Sequence, residues 1–173
     1  MFPISEEKGK KVINFVKESL NDALTTTNYT VGEMSALESV FFHKKVSEKF
    51  ADGRDYDCLF WEAVGKRGGF SICDENAWKW LDEFIQLDEC LIFFDQTDDS
   101  TVYMFQENQS LTKLLTKLQG YVLYITNENL DFLIYFNDSD YLRCIGTAEP
   151  WLRNKVKELS KNGWVDMEGK SYL

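Results

Sequence analysis

The chain has 173 residues, of which 44% are hydrophobic and 15% aromatic, and its net charge is −10. This composition excludes an intrinsically disordered chain, which has too few apolar residues to build a core. No apolar run approaches the roughly 18 residues of a membrane-spanning helix, and residues 1–7 lack the basic and apolar regions of a secretory signal. We therefore expect a cytoplasmic protein that does not bind membranes.

The first half of the chain predicts helices separated by turns. The first covers residues 5–25, begins at the capping residue Ser5, and carries apolar side chains at helical spacing, so one of its faces is expected to be buried. Residues 33–50 form a second predicted helix. Its inward residues are expected to be Leu37, Val40, Phe41 and Val46.

A third predicted helix covers residues 75–86, with Asp74 as its N-cap. The apolar run 58–64 before it fits either a strand or a helix, and the glycines of residues 65–69 interrupt that run. The sequence therefore leaves the fold of residues 50–90 open.

The second half predicts a sheet. Strands at 90–95 and 102–106 are joined by a polar loop of hairpin length, and strands at 121–126, 131–136 and 141–146 follow with turn-forming residues between them. A helix capped by Asn108 or Ser110 separates the two groups, and a last helix covers 149–159. We predict one α+β domain over residues 1–173, an antiparallel sheet of about five strands with helices packed on one face.

Few side chains suit nucleophilic or metal chemistry. The four cysteines are scattered without a CxxC pair, and His43 is the single histidine, so neither a disulfide framework nor a zinc site is expected. His43 lies among apolar and basic residues and is interpreted as a helix-surface or core residue rather than a catalytic base. Glycine-rich phosphate-binding loops are also missing. We expect no catalytic residue, metal or cofactor.

Negative charge concentrates in the middle of the chain. Residues 80–142 carry twelve carboxylates and two bases, Lys113 and Lys117, so we expect a continuous anionic face. Such a field repels nucleic acid and raises the rate of encounter with a basic protein by about 10- to 10³-fold at low salt. The expected partner is therefore a basic protein and not a nucleic acid.

Aspartates in two predicted turns leave alternatives open. They are Asp95, Asp98 and Asp99 in one turn and Asp138 and Asp140 in another. Two acidic loops that meet around a divalent ion, or that supply a carboxylate pair, would make a metal-dependent hydrolase. A non-catalytic regulatory subunit would use its acidity for solubility alone.

The last three predicted strands resemble part of a known group of proteins. The residues are Tyr121-Val-Leu-Tyr-Ile-Thr, then Asp131-Phe-Leu-Ile-Tyr-Phe-Asn-Asp-Ser-Asp-Tyr-Leu-Arg-Cys-Ile-Gly, then Trp151-Leu. Residues 121–152 are similar to the last third of small bacterial proteins that resemble, in size and acidity, the immunity proteins of polymorphic and contact-dependent growth inhibition toxin systems. The turn departs from that group, because it carries Asp138-Ser139 where a His-His pair is expected.

The resemblance implies a cytoplasmic antitoxin that binds a cognate basic toxin domain, such as a nuclease, and blocks it without catalysis. Interfaces of this kind depend on desolvated charge pairs and aromatic anchors. The expected charges are Asp95, Asp98, Asp99, Asp138 and Asp140, and the expected anchors are Tyr103 and Tyr141.

Overall fold

The computed structural model describes residues 14–54, 60–65, 68–118 and 120–173. This part of the chain forms six α-helices, seven strands and a short 3₁₀ helix, Ala77–Trp80. The helices are α1 (Phe15–Thr27), α2 (Ala36–Phe50), α3 (Phe60–Gly65), α4 (Leu81–Ile85), α5 (Leu111–Leu115) and α6 (Ala148–Lys161). The strands are β1 (Val31–Glu33), β2 (Phe70–Cys73), β3 (Cys90–Phe94), β4 (Tyr103–Phe105), β5 (Leu123–Thr126), β6 (Phe132–Phe136) and β7 (Tyr141–Gly146). The predicted helix start at Ser5 lies outside the described residues, as do residues 58 and 59 of the apolar run 58–64.

All seven strands belong to one antiparallel sheet, in the order β1-β4-β3-β5-β6-β7-β2. The pairing of β3 with β4 confirms the predicted hairpin, and the pairings of β5 with β6 and of β6 with β7 confirm the predicted meander. Two short edge strands, β1 beside β4 and β2 beside β7, were not predicted. The predicted α+β class is correct, and the count of about five strands is corrected to seven.

One face of the sheet packs against α1, α4, α5 and α6. Ile92, Ile125 and Ile134 lie side by side on this face, contributed by β3, β5 and β6, and all three are buried. They share one core cluster with Leu20 of α1 and Leu152 of α6. Burying side chains of this size stabilises the fold by about 1.5–3 kcal/mol each.

The other face is covered by α2 and α3. Phe93 of β3 lies 5.9 Å from Phe42 of α2 and 6.4 Å from Phe60 of α3, measured between ring centroids, and it stacks on Tyr124 of β5 at 5.0 Å. Helices therefore pack on both faces of the sheet, and the expectation of helices on one face is wrong. The physical reason is visible in β3, where all five residues are buried, because apolar side chains on both sides of a strand need a cover on both sides.

The orientation of α2 differs from the predicted one. Its buried apolar residues include Phe42, Val46 and Phe50, so the inward position of Val46 is confirmed. The other three residues that we expected to face the core are 66%, 63% and 57% exposed: Leu37, Val40 and Phe41.

Side chains next to the helices determine where α2 and α5 begin. Ser35 and Glu38 form a capping box at α2, in which the Ser35 hydroxyl accepts from the Glu38 amide and the Glu38 carboxylate accepts from the Ser35 amide. At α5 the hydroxyl of Ser110 accepts a hydrogen bond from the amide of Lys113. Ser110, rather than Asn108, is therefore the cap.

Cys90 and Cys144 are buried hydrophobic residues, as their apolar strands predict. Burial, with a smaller contribution from nearby carboxylates, raises the pKa of the Cys90 thiol to about 12. In the described part of the chain, no helix has both the length and the apolar character required to cross a membrane.

Candidate functional site

The two predicted aspartate clusters lie at the same end of the sheet. Phe94, the last residue of β3, pairs with Leu123 of β5, and Leu123 pairs with Phe136 at the end of β6. The loop 95–102 after β3 and the turn 137–140 after β6 therefore leave the sheet side by side. We call this part of the protein the acidic end.

The twelve carboxylates of residues 80–142 do not form one continuous face. Five of them belong to the segments before β3, after β4 and between β5 and β6, at the opposite end of the sheet: Asp88, Glu89, Glu107, Glu128 and Asp131. Asp82 and Glu83 lie on α4. The expected continuous face is therefore wrong, because successive turns of an antiparallel sheet alternate between its two ends.

Asp95 points into the protein. It is 6% exposed, and its carboxylate accepts a hydrogen bond of 2.8 Å from the hydroxyl of Tyr124. Burial raises the pKa of Asp95. The charges of Asp98 and Asp138 act in the same direction, whereas hydrogen bonds to the carboxylate oppose the shift.

Asp99 and Tyr103 are also enclosed, with 4% and 1% of their surface exposed. The Tyr103 hydroxyl donates a hydrogen bond of 2.5 Å to Oδ2 of Asp99, and Oδ1 of Asp99 accepts from the amide of Thr101 at 2.9 Å. Burial, followed by the bond to Asp99, raises the pKa of Tyr103 well above its usual range. Asp95, Asp99 and Tyr103, which the sequence analysis names as partner-binding residues, are thus enclosed, and their polar atoms hold the loop 95–102 in place.

Asp98, Asp138 and Asp140 are the predicted carboxylates that reach the surface. Asp98 and Asp138 are exposed, and Asp140 is half-buried. Within the described residues, no ion pair engages any of the three. The acidic end therefore presents three carboxylates, from two separate loops, to solvent.

Asn137 shapes the turn that carries two of these carboxylates. Its side-chain oxygen accepts hydrogen bonds from the amides of Ser139 and Tyr141, at 3.1 and 3.0 Å. Its backbone carbonyl accepts from the amide of Asp140, which has a φ of 62°. Asparagine and aspartate tolerate such turn geometry better than most residues, so the local sequence explains why this turn is tight and acidic.

Residues near the C-terminus add to the acidic end, which the sequence pattern did not predict. Tyr141 is half-buried, and its hydroxyl donates a hydrogen bond to Glu168, which raises the pKa of Tyr141 to about 12. The signal that could have located this segment is Trp164, an apolar residue in a polar tail. Its indole nitrogen donates a hydrogen bond of 2.9 Å to Asp74, the residue directly after β2.

Cys73 experiences the negative potential of the acidic end. Burial is the main cause that raises the pKa of its thiol, and the charges of four carboxylates act in the same direction: Glu168, Asp140, Asp166 and Asp74. The cations in this region have partners of their own. Lys170 is paired with Glu168, and Lys79 donates a hydrogen bond to Asn76.

His43 links α2 to the acidic end. Its Nε2 donates a hydrogen bond of 3.0 Å to the backbone carbonyl of Ser100, and the residue is buried. Burial lowers the pKa of His43, while the bond to Ser100 and the charge of Asp99 oppose this effect. The structure thus places His43 in the core, one of the two positions that the sequence predicted.

A groove of about 410 Å³ opens beside the turn 137–140. One part of the lining is the segment of Glu75, Asn76, Trp78 and Lys79, and another consists of Leu115, Leu118, Gly120, Tyr121 and Leu123. Phe136, Asn137, Asp138 and Asp140 complete it along the end of the sheet. Apolar and acidic side chains therefore line the same concavity.

Among the described residues, no group of three or more histidine, cysteine, aspartate or glutamate side chains is arranged to hold a metal ion. No protein-family model matches the sequence, and neither a curated protein nor a solved structure matches it significantly.

Proposed function

We propose that this chain is a non-catalytic inhibitor that binds a basic protein through the acidic end of its sheet, as an immunity protein binds and neutralises a toxin domain. The observation that carries the proposal is the position of Asp98, Asp138 and Asp140. These carboxylates come from two loops about 40 residues apart in the sequence, and they converge on one end of the sheet without ion-pair partners among the described residues.

The surroundings of these carboxylates suit protein binding. The loop 95–102 is held by the buried bonds of Asp95 and Asp99, and the turn 137–140 is held by Asn137, so the charges are pre-organised. A rigid surface loses little conformational entropy on association. The ring of Tyr141, half-buried beside the turn, can contribute apolar contact area in the manner of an aromatic anchor.

The same contacts weigh against the hydrolase alternative. A carboxylate pair or a metal site could draw on five aspartates of the two loops, but Asp95 and Asp99 are enclosed and bonded to tyrosine hydroxyls, which leaves only the three outward carboxylates for it. Among the described residues, these three do not belong to any group of three or more side chains arranged to hold a metal ion. This division of the aspartates favours binding over hydrolysis.

The test uses the protein encoded immediately upstream of this chain. If that protein contains a basic domain that arrests growth, co-expression of this chain should restore growth, and the purified pair should form a complex of nanomolar affinity. A growth-arresting domain that neither binds this chain nor is neutralised by it would contradict the proposal. Calorimetry with Mg²⁺, Mn²⁺ and Ca²⁺ tests the hydrolase alternative, because saturable micromolar binding lost in Asp98→Asn with Asp140→Asn would support it.

A matched pair of variants separates the acidic end from net charge alone. The triple variant Asp98→Asn, Asp138→Asn, Asp140→Asn should lower the association rate constant about tenfold or more at low salt. The control triple variant Asp88→Asn, Glu107→Gln, Glu128→Gln removes the same charge from the opposite end and should change the rate constant less than about twofold. Equal effects of the two variants would mean that the acidic end is not the binding surface.

A further inference from the structure

The walls of the groove beside the turn 137–140 are largely aromatic and aliphatic. Trp78, Tyr121 and Phe136 each line it and are half-buried, so their rings keep part of their surface available. Leu115, Leu118 and Leu123 also line the groove. A volume of about 410 Å³ is in the range of sites that enclose a small ligand or a long side chain.

The charged residues of the groove are acidic with one exception. Glu75, Asp138 and Asp140 contribute carboxylates, and Lys79 contributes an ammonium group. The Lys79 nitrogen is hydrogen-bonded to the Asn76 side chain at 2.5 Å, so this cation is held within its own wall. Three carboxylates against one cation leave the groove negative.

The protein already shows the kind of contact that this groove supports. The ammonium group of Lys79 lies 5.5 Å from the centroid of the Trp78 ring, which is a cation–π distance. The other aromatic walls, Tyr121 and Phe136, have no cation over their rings among the described residues. They line the same groove as the carboxylates of the turn.

We infer that the groove receives an arginine side chain of the basic partner, an inference that rests on the proposed function. The aliphatic stem of arginine packs against the leucines, and the flat guanidinium stacks on an aromatic ring. The N–H groups of the guanidinium donate to Asp138 and Asp140. Arginine fits better than lysine because its planar fork combines stacking with two hydrogen bonds, whereas an ammonium group is a point charge.

The test uses two small probes and does not need the partner. Nα-acetyl-arginine amide is titrated against Nα-acetyl-citrulline amide, its neutral isostere, while the indole N–H of Trp78 and the amides of Asp138 and Asp140 are followed by NMR. Saturable shifts at these positions are expected for the arginine probe, with affinity for the citrulline probe at least about tenfold weaker. Equal affinities, shifts that do not saturate, or shifts elsewhere on the protein would overturn the inference.

Two variants with matched charge changes test the role of the turn. Asp138→Asn with Asp140→Asn should weaken arginine binding about tenfold or more, and asparagine tolerates the positive φ of residue 140. Glu107→Gln with Glu128→Gln removes the same charge from the opposite end of the sheet and should leave the affinity unchanged. Thermal melts of both variants confirm that each is folded, and equal losses in the two would overturn the inference.

Asp98 separates this inference from the proposed function, because it belongs to the acidic end but not to the groove. If Asp98→Asn slows association with the basic partner and the arginine probe does not bind, the groove inference fails and the proposed function stands. If the probe binds as expected and no basic partner associates with the acidic end, the groove is an arginine site and the proposed function fails.

Discussion

The hydroxyl of Tyr103 donates a hydrogen bond of 2.5 Å to the carboxylate of Asp99, and both residues are enclosed at the base of the loop 95–102. This pair explains how an acidic loop is anchored to an apolar sheet. The carboxylate also accepts a hydrogen bond from the amide of Thr101. One side chain therefore satisfies two donors just before β4 begins.

Tyr103→Phe should therefore destabilise the protein. Loss of a buried hydrogen bond to a charged group is expected to lower the free energy of unfolding by about 1.5–3 kcal/mol, as measured by urea denaturation. Tyr141→Phe is the matched control, since its hydroxyl bonds the exposed carboxylate of Glu168, and a much smaller loss is expected. Equal losses would contradict the structural role assigned to Tyr103.

Asp95 should make stability depend on pH with a predictable sign. Its pKa is raised in the folded state, chiefly by burial, so between the usual pKa of about 3.9 and the raised value the folded state binds more protons than the unfolded state. This carboxyl group therefore lowers the free energy of unfolding as pH rises through that window, and its effect is constant at higher pH.

Asp95→Asn removes this dependence. The stability of the variant relative to the parent protein should increase with pH across the same window, as measured by urea denaturation at a series of pH values. Asp98→Asn removes an exposed carboxylate of the same loop and controls for net charge. If the free energy of unfolding of Asp95→Asn, relative to that of the parent protein, decreases as pH rises, burial does not dominate the pKa of Asp95.

The orientation of α2 predicts that two neighbouring phenylalanines contribute very differently to the free energy of unfolding. Phe42→Ala should cost about 3–5 kcal/mol, because Phe42 is buried against Phe93. Phe41→Ala should change the free energy of unfolding by no more than about 0.5 kcal/mol, because Phe41 is 57% exposed. The reverse order, measured by thermal or urea denaturation, would show that the helix faces the other way.

Gly146 should tolerate no side chain. Its φ is +69°, and a Cβ atom there would lie 2.2 Å from the carbonyl oxygen of Asp131 on the neighbouring segment. Gly163→Ala is the control, because Gly163 also has a positive φ but has no heavy atom near its Cβ position. Gly163→Ala is expected to cost about 1–2 kcal/mol for the backbone conformation alone, and Gly146→Ala clearly more. Similar losses in thermal denaturation would contradict the close approach.

The strands of the second half of the chain could be predicted because their signals are local. Alternating turn residues and apolar runs define β3 to β7, and each of these strands pairs with a neighbour close in sequence. The edge strands could not be predicted in this way. β1 and β2 have three and four residues, and each pairs with a strand more than 60 residues away in the sequence.

The orientation of α2 shows where helical periodicity becomes ambiguous. Leu37, Val40 and Phe41 repeat at helical spacing, but so do Phe42, Val46 and Phe50 on the opposite side. The choice between these faces depends on the aromatic surface of β3 and β5, which exists only after the sheet has formed. A closer reading of β3 could have indicated that surface, since a strand of five apolar residues implies a cover on both faces.

The candidate site was predictable in its composition but not in its orientation. Turn chemistry explains why aspartates occur at 98, 138 and 140, where they reach the surface, but it does not distinguish them from the enclosed Asp95 and Asp99. Those two turn inward because tyrosine hydroxyls from β4 and β5 meet them, and such contacts follow from strand pairing rather than from local sequence.

The two outermost strands also bear on how the molecule behaves at high concentration. β1 is only three residues long and ends at Glu33, which is bonded to Lys17, while the amide of Met167 donates to the carbonyl of Cys73 on the outer strand β2. Edge strands that are short, charged or covered offer a second molecule few unpaired backbone groups. The sheet is therefore protected against edge-to-edge pairing and aggregation. Deleting residues 164–173 would free the backbone carbonyl of Cys73 on the edge strand β2, and self-association is expected to begin at this strand.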